Sequence, residues 1–289
     1  MGESKMEKVF LNGQFINRTE AKVDIEDRGN VFGDGIYEVI RVYNGQLFTL
    51  EEHLRRLMRS AEKIYVKMPY DLEQMTTILK QLVEENHLEL GIVYIQVSRG
   101  ATSRQHLFPG EDVPATFFAF AKPLKRPLAQ LENGVKAKTA EDVRWLKCDI
   151  KSLNLLGNIL AKQNAANEGC FEAIFIRDGV VTEGSSSNIH IVKNGVVKTH
   201  PANHLILNGI TRLVMLMQCE KLNVRVEESP YTENDLLQAD EVFLTSTTSE
   251  IIPITEVNGQ QIGNGLVGPI TQKLQQSFES EITEQCQKV

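Results

Sequence analysis

The chain has 289 residues, 42% hydrophobic and 24% charged, with 38 acidic against 31 basic side chains and a formal net charge of -7. That length holds one large domain or two ordinary ones around a sizeable core, and the acidic balance argues against nucleic acid, whose phosphates demand surplus Lys and Arg. No apolar run approaches the roughly 20 residues of a membrane span, and the four cysteines (Cys148, Cys170, Cys219, Cys286) lack CxxC spacing, which gives no zinc or redox motif and points to reduced thiols in the cytoplasm.

The start, MGESKMEKVF, has no apolar signal segment, and Met6 stands where myristoylation favours Ser or Thr. VFLNGQFI then reads as a hairpin turning at Asn12-Gly13, and YEVIRVYNGQLFTL as another around Asn44-Gly45. Thr49 with Glu52 suggests a capping box opening a helix, whose stripe includes Leu54, Leu57, Met58 and Ala61. A second helix follows Asp71, with Met75, Ile78, Leu79 and Leu82 on one face; IVYIQVSRG and ATFFAFAKP are strands.

AKPLKRPLAQLENG carries two prolines and little periodicity and reads as a linker. The expected division is an N-terminal α/β domain over 1–121, a linker over 122–134 and a C-terminal α/β domain over 135–289. In the second half GVKAKTAEDV is a strand, NLLGNILAKQNAANEG a helix, and EAIFIRDGVVTEG a hairpin turning at Asp178-Gly179. SNIHIVKNGVVKTH is an Asn-Gly hairpin, ITRLVMLMQCEKL an apolar helix, EVFLTSTTSEIIPI a strand entering a hydroxyl-rich turn, and GPITQKLQQSFESEI a closing helix. Hairpins mixed with helices favour two α+β domains over a single doubly wound parallel sheet.

Four features can carry chemistry. Lys151, in DIKSLNLL, is either a lysine reaching solvent past an apolar segment or an amine activated by burial or neighbouring cations. Glu183 ends an apolar strand in VTEGSSSNI, as part of a polar turn or as an acid aimed into a cleft. Gly209-Ile210-Thr211 opens a helix whose free amides suit a phosphate, and TSTTSE (245–250) offers hydroxyls; each is equally readable as a cap or a polar loop. Arg104 and His106 lie two apart in RGATSRQHLFPG, as a solvated loop or as a grip on a carboxylate. GxxxxGK[ST] does not occur, and the GxGxxG string GNGLVG (263–268) opens the closing helix with no strand after it to complete a βαβ unit, so ATP and NAD have no support.

In this order the motifs resemble the fold-type IV pyridoxal-phosphate aminotransferases, nearest to the branch acting on D-amino acids. The residues that carry the likeness are DRGNVFGDGIYEV (27–39), RGATSRQH (99–106), RWLKCDIKSLNLLGN (144–158), EAIFIRDGVVTEGSSSN (172–188), THPANHLILNGITR (199–212) and TSTTSEI (245–251), most of the chain. The resemblance implies an α+β fold of two α/β domains with pyridoxal 5'-phosphate in the cleft between them. It implies that Lys151 holds the cofactor and moves the proton, and that Glu183 pairs with the ring nitrogen. Arg56, Ile210, Thr211, Ser246 and Thr247 match phosphate-binding positions, and Ser186 and Leu207 pack around the ring. Tyr37, Arg104 and His106 match the α-carboxylate group, the last two reaching the neighbouring active site of a homodimer. The implied reaction is ping-pong transfer of the amino group from D-amino acids such as D-alanine to 2-oxoglutarate, giving pyruvate and D-glutamate. Branched-chain L-amino acid aminotransferase and aminodeoxychorismate lyase share the fold, and a non-catalytic module binding a phosphorylated ligand is a reading of another class. The apolar run after Lys151 is expected to fix the lysine against the cofactor.

Overall fold

In the computed structural model, which describes residues 7–287, the chain packs as two units. The first takes 1–125, 150–154 and 282–289; the second takes 126–149 and 155–281. Residues 150–154, with Lys151 among them, thus pack with the first unit although the linker precedes them.

The first unit opens with the hairpin β1 (Lys8–Leu11) and β2 (Gln14–Asn17), whose turn residues Asn12 and Gly13 take φ of 46° and 94°, as the Asn-Gly pair requires. There follow α1 (Arg28–Phe32), β3 (Gly35–Tyr43), β4 (Gln46–Leu47), α2 (Leu50–Lys63), α3 (Leu72–Glu85), β5 (Gly91–Ser98) and β6 (Thr116–Pro123). The strands form an antiparallel sheet in the order β2-β1-β6-β5-β3-β4. Ile36, Ile40 and Val42 of β3 meet Leu54 and Leu57 of α2 and Met75 and Leu79 of α3 in one core. Alternation puts Glu38 on that same buried face, where a charge needs partners.

The expected capping box at Thr49 does not form. Thr49 sits in the left-handed region at φ 51°, its hydroxyl donates to Phe48 O, and no side chain caps α2. The reciprocal box belongs to α3, where Asp71 and Gln74 cap each other.

The second unit begins with α4 (Leu128–Asn133) inside the proline-rich stretch, then β7 (Val135–Glu141), α5 (Leu156–Asn167), β8 (Glu172–Arg177), β9 (Val180–Gly184), β10 (Asn188–Lys193) and β11 (Val196–Thr199). It continues with α6 (Ile210–Lys221), β12 (Val226–Glu228), α7 (Glu233–Leu237), β13 (Glu241–Ser246), β14 (Glu250–Val257), β15 (Gln260–Gln261) and α8 (Pro269–Gln285), which belongs to it as far as Glu281. EVFLTSTTSEIIPI is thus two strands around a turn. The sheet runs β12-β11-β10-β13-β14-β7-β8-β9, with β15 beside β14, and mixes parallel pairs (β11 with β12, β14 with β7, β7 with β8) among antiparallel ones. Val181, Ile189, Leu244 and Ile252 lie in its core.

Among the described residues, no helix is long and apolar enough to cross a membrane.

Candidate active site

In the first unit, main-chain bonds tie Lys151 to β3. Tyr37 N donates to Lys151 O at 3.1 Å, Leu153 N donates to Gly35 O at 3.0 Å, and Ile36 bridges to Ser152. Lys151 N lies 3.3 Å from Ser60 Oγ on α2. The ammonium sits over the Tyr37 ring, 4.2 Å from its centroid. Only the start of the apolar run lies inward: Leu153 and Leu155 are half-buried, while Leu156, Ile159 and Leu160 are 69%, 59% and 56% exposed. Backbone pairing to β3 holds the lysine as well.

Behind it is a buried charge cluster. Arg56 donates to both oxygens of Glu38, Nε to Oε1 at 2.7 Å and Nη2 to Oε2 at 2.9 Å, and His53 Nδ1 lies 2.7 Å from Oε2. Burial would raise Glu38, but Arg56 and His53 outweigh it and hold the acid well below its ordinary range. Burial pushes His53 down despite Glu38, and Arg56 and Lys151 push the same way. Arg56, matched to phosphate, therefore commits two of its nitrogens to Glu38.

Arg104 and His106 lie in an exposed loop on either side of Gln105. The Arg104 guanidinium is 4.9 Å from the Phe32 ring centroid and the His106 ring 5.6 Å from it. Arg28 pins the loop by donating to Gln105 O at 2.6 Å, while its Nε bonds Asp34 at 2.7 Å.

In the second unit, Glu183 stands near the end of β9, buried. Arg144 Nη1 donates to its Oε1 at 2.5 Å, and Leu207 N donates to Oε2 at 2.9 Å, with Asn188 Nδ2 3.3 Å away. Burial lifts Glu183 to about 7, and Arg144 and the Leu207 amide only partly oppose it. Arg144 is itself oriented by Asp142, Nε to Oδ1 at 2.8 Å and Nη2 to Oδ2 at 2.9 Å. Asp142 would be raised by burial, but Arg144, Arg177 and Thr182 hold it at about 2.

Asn188 links the acid to the start of α6, because its Nδ2 also donates to Leu207 O at 2.8 Å. Gly209 precedes α6 with no side-chain cap, and a Cβ there would fall 2.2 Å from Asn188 Oδ1. The buried Ile210 and Thr211 thus begin a helix whose first amides have no capping side chain. Asn188 pairs with Thr245 across β10 and β13, which places Ser246, the last residue of β13, and Thr247 after it at the same sheet end. Ser186 is exposed on the turn between β9 and β10. This unit therefore gathers Glu183, Leu207, Ile210, Thr211 and Ser246, whereas Lys151, Tyr37, Arg56, Arg104 and His106 belong to the first. Arg144, Asn188, Asp142, Glu38 and His53 carry no expected role in the sequence; a buried acid needs a cation, but that need does not say which arginine supplies it.

The sequence pattern of amino-transferase class IV matches residues 35–257, and the chain belongs to that family of pyridoxal-phosphate-dependent transaminases. Among its relatives, a D-alanine aminotransferase of Staphylococcus aureus strain MSSA476 is 50% identical over 277 residues, covering 96% of this chain and 98% of that one. One from Bacillus licheniformis is 48% identical over 281 residues, covering 97% and 99%. A crystal structure of the Escherichia coli branched-chain amino acid aminotransferase superposes with a TM-score of 0.89 at 26% identity, covering 95% of this chain and 94% of that one.

The residues present fit the cofactor. An aldehyde needs an amine, a pyridine nitrogen needs an acid that can share a proton, and a phosphate needs amides and hydroxyls. Lys151, the raised carboxyl of Glu183, and the uncapped α6 with Thr211 are those three chemistries.

Proposed function

We propose that the protein transfers the amino group of D-amino acids, D-alanine among them, to a 2-oxo acid such as 2-oxoglutarate. The observation that carries the choice of hand is the Arg104–His106 pair mounted on Phe32, a cationic grip for an α-carboxylate. The names of relatives near 50% identity over almost the whole chain agree with it.

When bound, pyridoxal phosphate supplies an aldehyde for the donor's amine and a ring that accepts electrons from its Cα. Lys151 Nζ would be the amine that holds that aldehyde and the base that carries the donor's Cα proton. Glu183 shares a proton with the ring nitrogen, and Arg144 keeps its carboxyl pointed there. Ile210 and Thr211 amides, with Ser246, Thr247 and Arg56, would hold the phosphate, and Ser186 and Leu207 would pack around the ring. Tyr37 completes the carboxylate grip. The protein acts as a homodimer in which Arg104 and His106 serve the neighbouring site; the exposure of both, and of Trp145, Leu146, Leu156 and Ile159, supports a second copy covering them. We place it in the cytoplasm, as four unpaired thiols suit.

The experiment offers D-alanine and L-leucine separately as donors to 2-oxoglutarate. Pyruvate from D-alanine, with L-leucine inert, is expected; glutamate from L-leucine alone rejects the proposal and favours the branched-chain reading.

A further inference from the structure

The three consecutive serines at 185–187 do not share one role. Ser185 and Ser187 are buried, and both donate to a single carboxylate, Glu172: the first to Oε1, the second to Oε2 at 2.8 Å. Ser186 is exposed and lies 3.4 Å from Oε2, long for a hydroxyl bond. Glu172 begins β8 and is 1% exposed. Its Oε1 also accepts from Ala173 N at 2.9 Å, and Lys162 Nζ stands 3.4 Å away. Both buried hydroxyls thus turn their protons inward, towards the acid.

The main chain agrees. Ser185 N donates to Ala173 O at 2.9 Å, Gly184 N to Ser187 O at 2.7 Å, and Asn158 Nδ2 to Ser185 O at 2.9 Å. A Cβ on Gly184 would lie 2.2 Å from Ser187 Oγ and 3.2 Å from Glu172 Cδ, so only glycine lets the turn close on the acid. Glu183 immediately precedes this turn and Asn188 immediately follows it.

We propose that Glu172 is a positioning residue: by gripping Ser185 and Ser187 it fixes the turn between Glu183 and Asn188 and leaves Ser186 as the one hydroxyl of three turned to the cofactor. This rests on the reading of Glu183 and Ser186 as cofactor contacts. Glu172 itself touches neither cofactor nor substrate.

The test titrates cofactor-free full-length protein with pyridoxal phosphate, following the fluorescence of Trp145, the only tryptophan, at several pH values beside the thermal midpoint of each variant. Glu172→Ala should weaken binding by about 10-fold or more, as for outer partners of other ligand sites, and shift the pH midpoint of binding by displacing Glu183. Glu172→Gln, which keeps the shape and one acceptor, should recover most of the affinity. Ser186→Ala should weaken binding with the thermal midpoint unchanged, and Ser185→Ala with Ser187→Ala should lower both. Should Glu172→Ala not fold, that double variant carries the same prediction. Parental affinity and pH midpoint in folded Glu172→Ala, or in the double variant, overturn the inference. A parent that binds no pyridoxal phosphate overturns the cofactor reading itself and this inference with it.

Discussion

Arg144 meets Glu183 through a 2.5 Å contact, yet burial still lifts Glu183 to about 7. A lone carboxylate in that place would be higher still, and an acid wholly neutralised by its arginine would have no proton to share with a ring nitrogen. The pair sits between those limits.

The first prediction concerns pH and the cofactor-free protein. The folded value of Glu183 lies above its ordinary 4.5, so the folded state holds the extra proton. Its contribution is fully present below 4.5 and is lost as pH rises through about 7. The stability of the cofactor-free protein should therefore fall between about pH 5 and about pH 8, by on the order of 1–3 kcal/mol, and its thermal midpoint with it. Glu183→Gln, neutral throughout, should remove that component. Parallel midpoint curves for parent and variant would reject it.

Arg144→Ala takes the cation from buried Glu183 and one of two arginines from Asp142, which keeps Arg177 and Thr182, and removes the guanidinium 4.3 Å from the Phe175 ring. Breaking such a buried pair costs about 3–5 kcal/mol. Urea unfolding near neutral pH measures it; a loss below about 1 kcal/mol would mean the cluster relaxes freely into water.

The first unit should respond to acid in the opposite sense. Glu38 is held well below 4.5 by Arg56 and His53 despite its burial, so its contribution is present above 4.5 and lost as pH falls towards its depressed folded value. The thermal midpoint of the parent should drop more steeply than that of Glu38→Gln as pH is lowered from about 5 to about 3. Equal slopes would assign the acid limb to other carboxylates. At neutral pH the variant should be the less stable, because Arg56 loses a bidentate partner.

Much of this was legible beforehand, for local reasons. Asn-Gly and Asp-Gly pairs at 12–13, 44–45, 178–179 and 194–195 each take positive φ and turn a hairpin, since few other residues accept that backbone. Hydrophobic period predicted α2, α3 and α6. What stayed hidden depends on pairing at long range. Thr49 with Glu52 has the letters of a capping box, but the left-handed Thr49 cannot make one. The apolar run after Lys151 looks like a clamp, yet three of its large side chains face outward and strand β3 holds the lysine as well. In the site, the motif residues are readable while Arg144, Asn188 and Glu172 are not, because each acts through a partner from 13 to 39 positions away or across a turn.

Gly209→Ala tests the link between the acid and the phosphate cradle. Gly209 has an ordinary extended backbone, φ -64° and ψ 139°, so an alanine meets no backbone strain there. The obstacle is contact: its Cβ would stand 2.2 Å from Asn188 Oδ1, and Asn188 must give way. Moving that amide breaks its 2.8 Å bond to Leu207 O and loosens the segment whose amide holds Glu183. The expected cost is about 1–3 kcal/mol of stability, typical of overpacking, together with weaker binding of pyridoxal phosphate. Asn188→Ala in the same background should relieve the clash and restore part of the stability without restoring the cofactor affinity. Full recovery of both would show that Asn188 merely fills space.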